Sequence, residues 1–253
     1  MEKKYVLITG ATSGFGKACA QLFAKNNYNL ILTGRRNDRL QQLKNELSSM
    51  VSVETLCFDV RNEASVFQAI ESLPENVKNQ LSILINNAGL AVGRGPIDEG
   101  LVDDWDRMID TNVKGLLYVT RAVVPYIKKA SQGHIINLGS IAGKEVYTGG
   151  NVYCASKHAV DALSKAMRID LLPYGIKVTN IAPGAADTEF STVRFKGDEE
   201  IIKSVYKGFQ PLKAEDVANV IYFAASLPTH VNINDLTIMP TAQASGSHFF
   251  KSE

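Results

Sequence analysis

Cysteine is scarce, with Cys19, Cys57 and Cys154 the 3 in the chain. An odd number at wide spacing excludes a disulfide framework and points to a reducing compartment, so a cytoplasmic protein is expected. A charge of one sign is also missing: 27 Lys and Arg face 26 Asp and Glu, a formal net charge of +1. No bulk field is therefore available to draw the chain onto nucleic acid or an anionic membrane. No apolar run approaches the roughly 18 residues of a membrane span, and Tyr5 to Ile8 is too short for a signal-peptide core. His134, His158, His230 and His248 are dispersed without metal-ligand spacing, so no metal is expected and the histidines read as structural. Internal repeats, low-complexity tracts and linkers are lacking as well, which leaves one domain over residues 1–253. What remains is ordinary for a globular protein, 45% apolar and 21% charged, enough for a sizeable core.

Short β-branched runs alternate with helical patterns along most of the chain. Strands are expected at Tyr5 to Thr9, Leu30 to Thr33, Val53 to Phe58, Ile83 to Ile85, His134 to Leu138, Lys177 to Ile181 and Leu236 to Met239. Between them, apolar residues recur at helical spacing, as in Cys19, Leu22 and Phe23, or Val217, Val220, Ile221 and Ala224. The alternation implies an α/β fold: a single doubly wound, Rossmann-type domain with a seven-stranded parallel sheet and helices on both faces. Two long loops, Asn86 to Gly100 and Ala182 to about Asp198, follow strands, where ligands bind in open sheets.

The first strand runs into Thr9-Gly10-Ala11-Thr12-Ser13-Gly14-Phe15-Gly16, opening a helix near Lys17. Glycines allow a tight turn and close approach to a diphosphate, and a helix N-terminus offers free N–H groups. Spacing G-x-x-x-G-x-G departs from G-x-G-x-x-G, and no Lys-Ser/Thr ending of a P-loop is present, which disfavours ATP. At the end of the second strand, where an NAD site places an acidic residue, stand Gly34, Arg35 and Arg36. A guanidinium fork suits the 2′-phosphate of NADP. Asp38 is expected to cap the next helix from Arg39.

Tyr153 and Lys157 lie four apart in a helical pattern running to Leu172, so they share a face. A phenol titrates near pH 10, and a cation within ~4–6 Å lowers it toward acid–base work. Ser140, in Leu138-Gly139-Ser140-Ile141-Ala142, lacks the second glycine of a nucleophile elbow, so a hydrolase is disfavoured.

Together these residues resemble the short-chain dehydrogenase/reductase family over nearly the whole chain. The likeness rests on the glycine turn, Asp59-Val60, Asn86-Asn87-Ala88-Gly89, Asn112 in Thr111-Asn112-Val113-Lys114-Gly115, Ser140, Tyr153-x-x-x-Lys157 and Pro183-Gly184. It implies hydride transfer with Ser140 bonding the substrate oxygen, Tyr153 exchanging its proton and Lys157 binding the nicotinamide ribose while lowering the tyrosine. Asn112 is implied to hold a water that links the lysine to solvent. Implied cofactor contacts are Gly10, Thr12, Ser13, Gly14, Phe15, Gly16, Arg35, Arg36, Asp59, Val60, Asn86, Ala88, Gly89, Tyr153, Lys157, Pro183, Gly184 and Thr188. A homotetramer is implied too, built partly from the long helices around Leu101 to Lys129 and Tyr153 to Leu172.

Two segments, Thr188 to Asp198 and His230 to Leu236 with Met239-Pro240, resemble those of bacterial NADP-dependent 3-hydroxy acid dehydrogenases acting on serine, allo-threonine or 3-hydroxypropionate. A substrate loop at 182–212 and a C-terminal tail at 240–253 follow from that likeness. A carboxylate-bearing small molecule calls for a cation, with Arg194 the first choice and Lys196 and Lys144 the second. Two other readings stay open: a reductase of another carbonyl, such as a 3-oxoacyl thioester, and a non-catalytic NADP-binding module. The tail, with Phe249-Phe250, is expected to pack on a neighbouring subunit or to lie disordered.

Overall fold

The computed structural model describes residues 4–130 and 132–252, so the expected domain span has residues 1–3, 131 and 253 outside the described residues. The chain alternates strand and helix as follows: β1 Tyr5–Ile8, α1 Gly14–Lys25, β2 Asn29–Gly34, α2 Asn37–Leu47, β3 Val53–Cys57, α3 Glu63–Glu71, α4 Glu75–Asn79 and β4 Leu81–Asn86. It continues with α5 Val102–Ile109, α6 Leu116–Ile127, β5 His134–Leu138, α7 Asn151–Asp170, β6 Lys177–Pro183, α8 Glu189–Arg194, α9 Glu199–Val205, α10 Ala214–Ser226 and β7 Asp235–Ile238. The strands form one 7-stranded sheet in the order β3-β2-β1-β4-β5-β6-β7, and every neighbouring pair is parallel.

Parallel neighbours need crossover helices, and these cover both faces, so the inner strands are apolar almost continuously rather than alternately. Within β1 the side chains still part to opposite faces. Val6 and Ile8 join Phe23, Leu40, Val217 and Ile221 from α1, α2 and α10. Tyr5 and Leu7 join Val66, Val119, Val123 and Val160 from α3, α6 and α7. A third, smaller cluster lies at the carboxyl end of the sheet, where Leu90, Ala91 and Val92 pack on Met108, Tyr153 and Cys154. The long loop after β4 is thus partly a core element.

Three expectations change. Helix α2 begins at Asn37 with Arg36 as its N-cap, so Asp38 is not the cap but lies in the first turn, where a carboxylate still suits the helix dipole. The expected long helix from Leu101 to Lys129 is interrupted by a widened π-turn at Asp110–Gly115. Such turns commonly mark functional positions, and this one contains Asn112. The tail from residue 240 folds back on its own chain through residue 252: Phe249 packs on Phe209 with ring centroids 5.1 Å apart. Ser252 N–H donates to Gly208 O at 2.8 Å, and Gln243 Oε1 accepts from Ala185 N at 2.7 Å. Among the described residues, no helix is long and apolar enough to cross a membrane.

Phe23 is completely buried and meets Tyr28 and Tyr222 edge-on at 5.3 and 5.4 Å. Phe23→Ala should cost about 3–5 kcal/mol by removing that packing and leaving a cavity. Denaturant unfolding should then show a lower midpoint with an unchanged slope.

Candidate active site

The sheet order reverses between β1 and β4, and a cleft of about 290 Å³ opens beyond their carboxyl ends. Its floor is the turn after β1. Gly10 and Gly14 take φ of +65° and +51°, a region that L side chains avoid. A Cβ at Gly16 would lie 2.4 Å from Gly10 O and 2.5 Å from Asn87 Nδ2. Asn87 itself donates to Thr9 O at 2.8 Å and Gly10 O at 3.1 Å, tying the β4 end to the turn.

The cleft lining brings together most of the expected cofactor residues: Gly10, Thr12, Ser13, Gly14 and Phe15 from the turn, and Arg35 and Arg36 from the end of β2. Asp59 and Val60 after β3, Ala88 and Gly89 after β4, Tyr153 and Lys157 on α7, and Thr188 before α8 complete that set. Arg36 is poised by hydroxyls: its Nε and Nη2 donate to Thr12 Oγ1 at 3.1 and 2.8 Å, and Nη2 donates to Ser13 Oγ at 2.9 Å. Asp59 accepts from Arg61 and lies 3.7 Å from Arg35. Despite burial, the Arg61 hydrogen bonds and the two arginine charges hold its carboxyl below the ordinary value.

Four expected cofactor contacts lie outside this lining, and each has a structural task. Gly16 admits the close approach just described. Asn86 is turned inward, donating to Thr120 Oγ1 and Asn137 Oδ1 at 2.9 Å each; the side chain that reaches the turn is that of Asn87. Pro183 offers its carbonyl to the Ser140 hydroxyl at 3.4 Å. A Cβ at Gly184 would meet Gln243 Oε1 at 2.5 Å, so this glycine admits the C-terminal tail.

Helix α7 carries Tyr153 and Lys157 on one face, both nearly buried. Burial raises the Tyr153 phenol, opposed by the Ser140 hydrogen bond and the Arg194 charge. Lys157 is pushed down to about 8 by burial; its Nζ donates to Leu138 O at 2.7 Å and sits 6.0 Å from the Tyr153 ring centroid. The Arg194 guanidinium lowers the phenol, while the Lys157 ammonium is held by the carbonyl at the end of β5. Asn112 is likewise fully engaged: Oδ1 accepts from Leu90 N at 2.8 Å, and Nδ2 donates to Leu90 O at 2.8 Å and Ser156 Oγ at 3.0 Å. The π-turn thereby fixes the Leu90 loop to α7.

Over the tyrosine lies α8. Thr188 caps it, accepting from Phe190 N at 3.3 Å, and Phe190 packs on Tyr153 with centroids 5.7 Å apart. Arg194 sits 5.4 Å from the ring centroids of both Tyr147 and Tyr153 and donates through Nη2 to Tyr147 Oη at 2.9 Å. Its Nε is buried without a hydrogen-bond partner, a costly arrangement that an anion would relieve. The second-choice cations are committed elsewhere: Lys196 pairs with Asp104 at 2.8 Å, and Lys144 with Asp161 and Asp235. Tyr147, Phe190 and Glu189 escaped the sequence reading because no motif carries them; the nearest signal was their place in or opposite a long loop.

The chain is similar to known proteins over most of its length. The sequence profile of the short chain dehydrogenase family matches residues 4–199. The chain is 49% identical over 240 residues to sulfoacetaldehyde reductase 2 of Chromohalobacter salexigens, covering 94% of this chain and 95% of the other. It is 47% identical over 240 residues to an NADP-dependent 3-hydroxy acid dehydrogenase of Escherichia coli, covering 94% and 96%. Among solved structures, the closed form of serine dehydrogenase complexed with NADP⁺ superposes with a TM-score of 0.91 at 45% identity, covering 98% of this chain and all of that one.

The lysine yields a stability test. Its folded value of about 8 lies below the ordinary 10.5, so between these values the unfolded chain binds more protons and stability gains with rising pH. Buried Cys19, pushed up to about 12, and Tyr153 act in the opposite sense at higher pH. The difference in unfolding free energy between Lys157→Met and the parent should therefore be largest near neutrality and shrink from about pH 8 upward, as read from denaturant melts across pH.

Proposed function

The chain belongs to the short chain dehydrogenase family, and on that premise we propose that it is an NADP-dependent enzyme moving hydride between the nicotinamide and a short 3-hydroxy acid. Serine, allo-threonine and 3-hydroxypropionate (malonic semialdehyde in reverse) are the substrates of that class. The observation that carries the reading is Arg194, whose buried, unpartnered Nε lies on the guanidinium beside the Tyr153 ring. A guanidinium held there can take an anionic group while the neighbouring alcohol carbon faces the tyrosine.

The cleft fits a dinucleotide carrying a 2′-phosphate. Glycines leave the turn open, hydroxyls of Thr12 and Ser13 meet the Arg36 fork, and Arg35 and Arg36, with no acidic residue, directly follow β2 in the chain. Gly10 to Phe15 would hold the diphosphate at the start of α1, Arg35 and Arg36 the 2′-phosphate, Asp59 and Val60 the adenine, and Ala88, Gly89, Lys157 and Thr188 the nicotinamide half. When bound, the nicotinamide supplies or accepts the hydride. Ser140 hydrogen-bonds the substrate oxygen. Tyr153, protonated at neutral pH, donates to that oxygen in reduction and must give up its own proton before serving as base in oxidation. Asn112 positions the Leu90 loop and α7, and residues 182–212 close over the substrate with the tail behind them.

A sulfonate has the same need for a guanidinium, and similarity to the Chromohalobacter salexigens reductase makes sulfoacetaldehyde the second substrate to try. The reading includes a cytoplasmic homotetramer, supported by exposed Leu117, Ile169 and Leu172 along α6, α7 and the turn that follows.

Initial rates over short 3-hydroxy acids, sulfoacetaldehyde, a 3-oxoacyl thioester and uncharged alcohols, with NADP and with NAD, test the proposal. Hydroxy acids with NADP should be preferred, and a preference for NAD or the thioester would overturn it. Arg194→Ala should raise KM for anionic substrates by about ten- to a hundredfold, since hydrogen bonds to charged groups contribute ~1.5–3 kcal/mol, and leave uncharged alcohols far less affected. Because Arg194 lowers the Tyr153 phenol, the variant's oxidation rate should also need a higher pH to reach its plateau.

A further inference from the structure

Glu189, the first residue of α8, accepts from Arg36 Nη1 at 2.9 Å through Oε2 and from Arg39 Nη1 at 2.6 Å through Oε1. It is the one carboxylate in contact with Arg36 among the described ion pairs. All three side chains are two-fifths or more exposed, so these contacts can exchange rather than being locked. Their placement is directional. Arg36 lines the cofactor cleft, Arg39 lines a neighbouring cavity of about 290 Å³ on the far side, and Glu189 borders both.

From this geometry we infer that Glu189 is a built-in anion that competes with the cofactor's 2′-phosphate for Arg36, coupling the position of α8 to the affinity for NADP(H). Arg36 has its Nε and Nη2 on the Thr12 and Ser13 hydroxyls and its Nη1 on Glu189. An arriving phosphate shares the hydroxyl side, and two anions on one guanidinium repel. Glu189 can yield toward Arg39 without leaving the rim, because Arg39 holds its second oxygen. The carboxylate therefore weakens binding of the phosphorylated cofactor while leaving the unphosphorylated one untouched. Glu189 acts through Arg36, so it is a positioning residue.

This inference rests on the reading of Arg36 as the phosphate ligand, and calorimetric titration of NADPH and NADH separates the two. Glu189→Gln should bind NADPH about fivefold or more tightly with NADH unchanged, a coupling of ordinary size, and NADPH dissociation in stopped-flow fluorescence should slow to match. NADPH affinity that is unchanged or lower, or a parallel change for both cofactors, overturns the competition. Arg36→Leu serves as the control. If it weakens NADPH but not NADH, the phosphate reading stands whatever Glu189→Gln does; if both weaken equally, that reading fails and the competition with it.

Discussion

The site depends on one close approach, where the backbone after β1 meets the residue after β4. Asn87 donates to Thr9 O and Gly10 O, and Gly16 leaves no room for a side chain against the same carbonyl. Thr9 Oγ1 accepts in return from the N–H groups of Asn87 and Ala88 at 2.9 Å each. These bonds stop the two strands from diverging one residue earlier or later, so the reversal of strand order becomes a cleft of fixed shape. From there the chain after β1 turns into α1, presenting its N-terminus, while the chain after β4 runs toward Leu90 and the tyrosine. The glycine turn at the start of α1 and the tyrosine on α7 are thus held at a set separation by a few side chains.

The second requirement is a rigid α7, and polar burial supplies it. Asn112 clasps Leu90 and Ser156, while Asn137 bridges Asn86 and Ser164. On the other flank, Lys144, Asp161, Lys165, Asn180 and Asp235 form one charged cluster joining the Ser140 loop, α7, β6 and β7. Asn86 Oδ1 and Asn180 Oδ1 are left without partners, but the bonds that are made tolerate little displacement, because breaking one adds a further buried orphan. Ser140 and Tyr153 are therefore held by elements whose mutual position is fixed from both sides.

Much of this was legible in the residues. Alternation of Val, Ile and Leu runs with helical spacing pointed to the parallel sheet, since strands apolar on both faces need helices to cover both. The glycine turn and the Tyr153–Lys157 spacing marked the cleft because each needs a particular backbone or face. Less legible was anything depending on contacts between distant segments. Asn86 and Asn87 are adjacent and identical in type, and only strand pleat decides that one faces the core network and the other the turn. Lys144 and Lys196 read as free cations until the fold supplied Asp161, Asp235 and Asp104. The π-turn at Asp110–Gly115 has no composition signal, because a widened turn is stabilised by what its side chains reach.

Charge placement follows the same logic. A net charge of +1 hides two separated cationic positions, Arg35 with Arg36 at the β2 end and Arg194 over the tyrosine, and they sit in different surroundings. Arg36 has hydroxyl and carboxylate partners at a partly exposed rim, where attraction is screened and partners exchange. Arg194 lies against aromatic rings with a buried Nε left over, where screening is weak and each added hydrogen bond counts for more. Rim and interior are linked through α8, which carries Glu189 at its first residue and Arg194 at its last. A rigid shift of this 6-residue helix cannot loosen one end without moving the other. Contact with Arg36 at the cleft rim and cover over Tyr153 are accordingly properties of one element, and sequence distance between the two disappears in the fold.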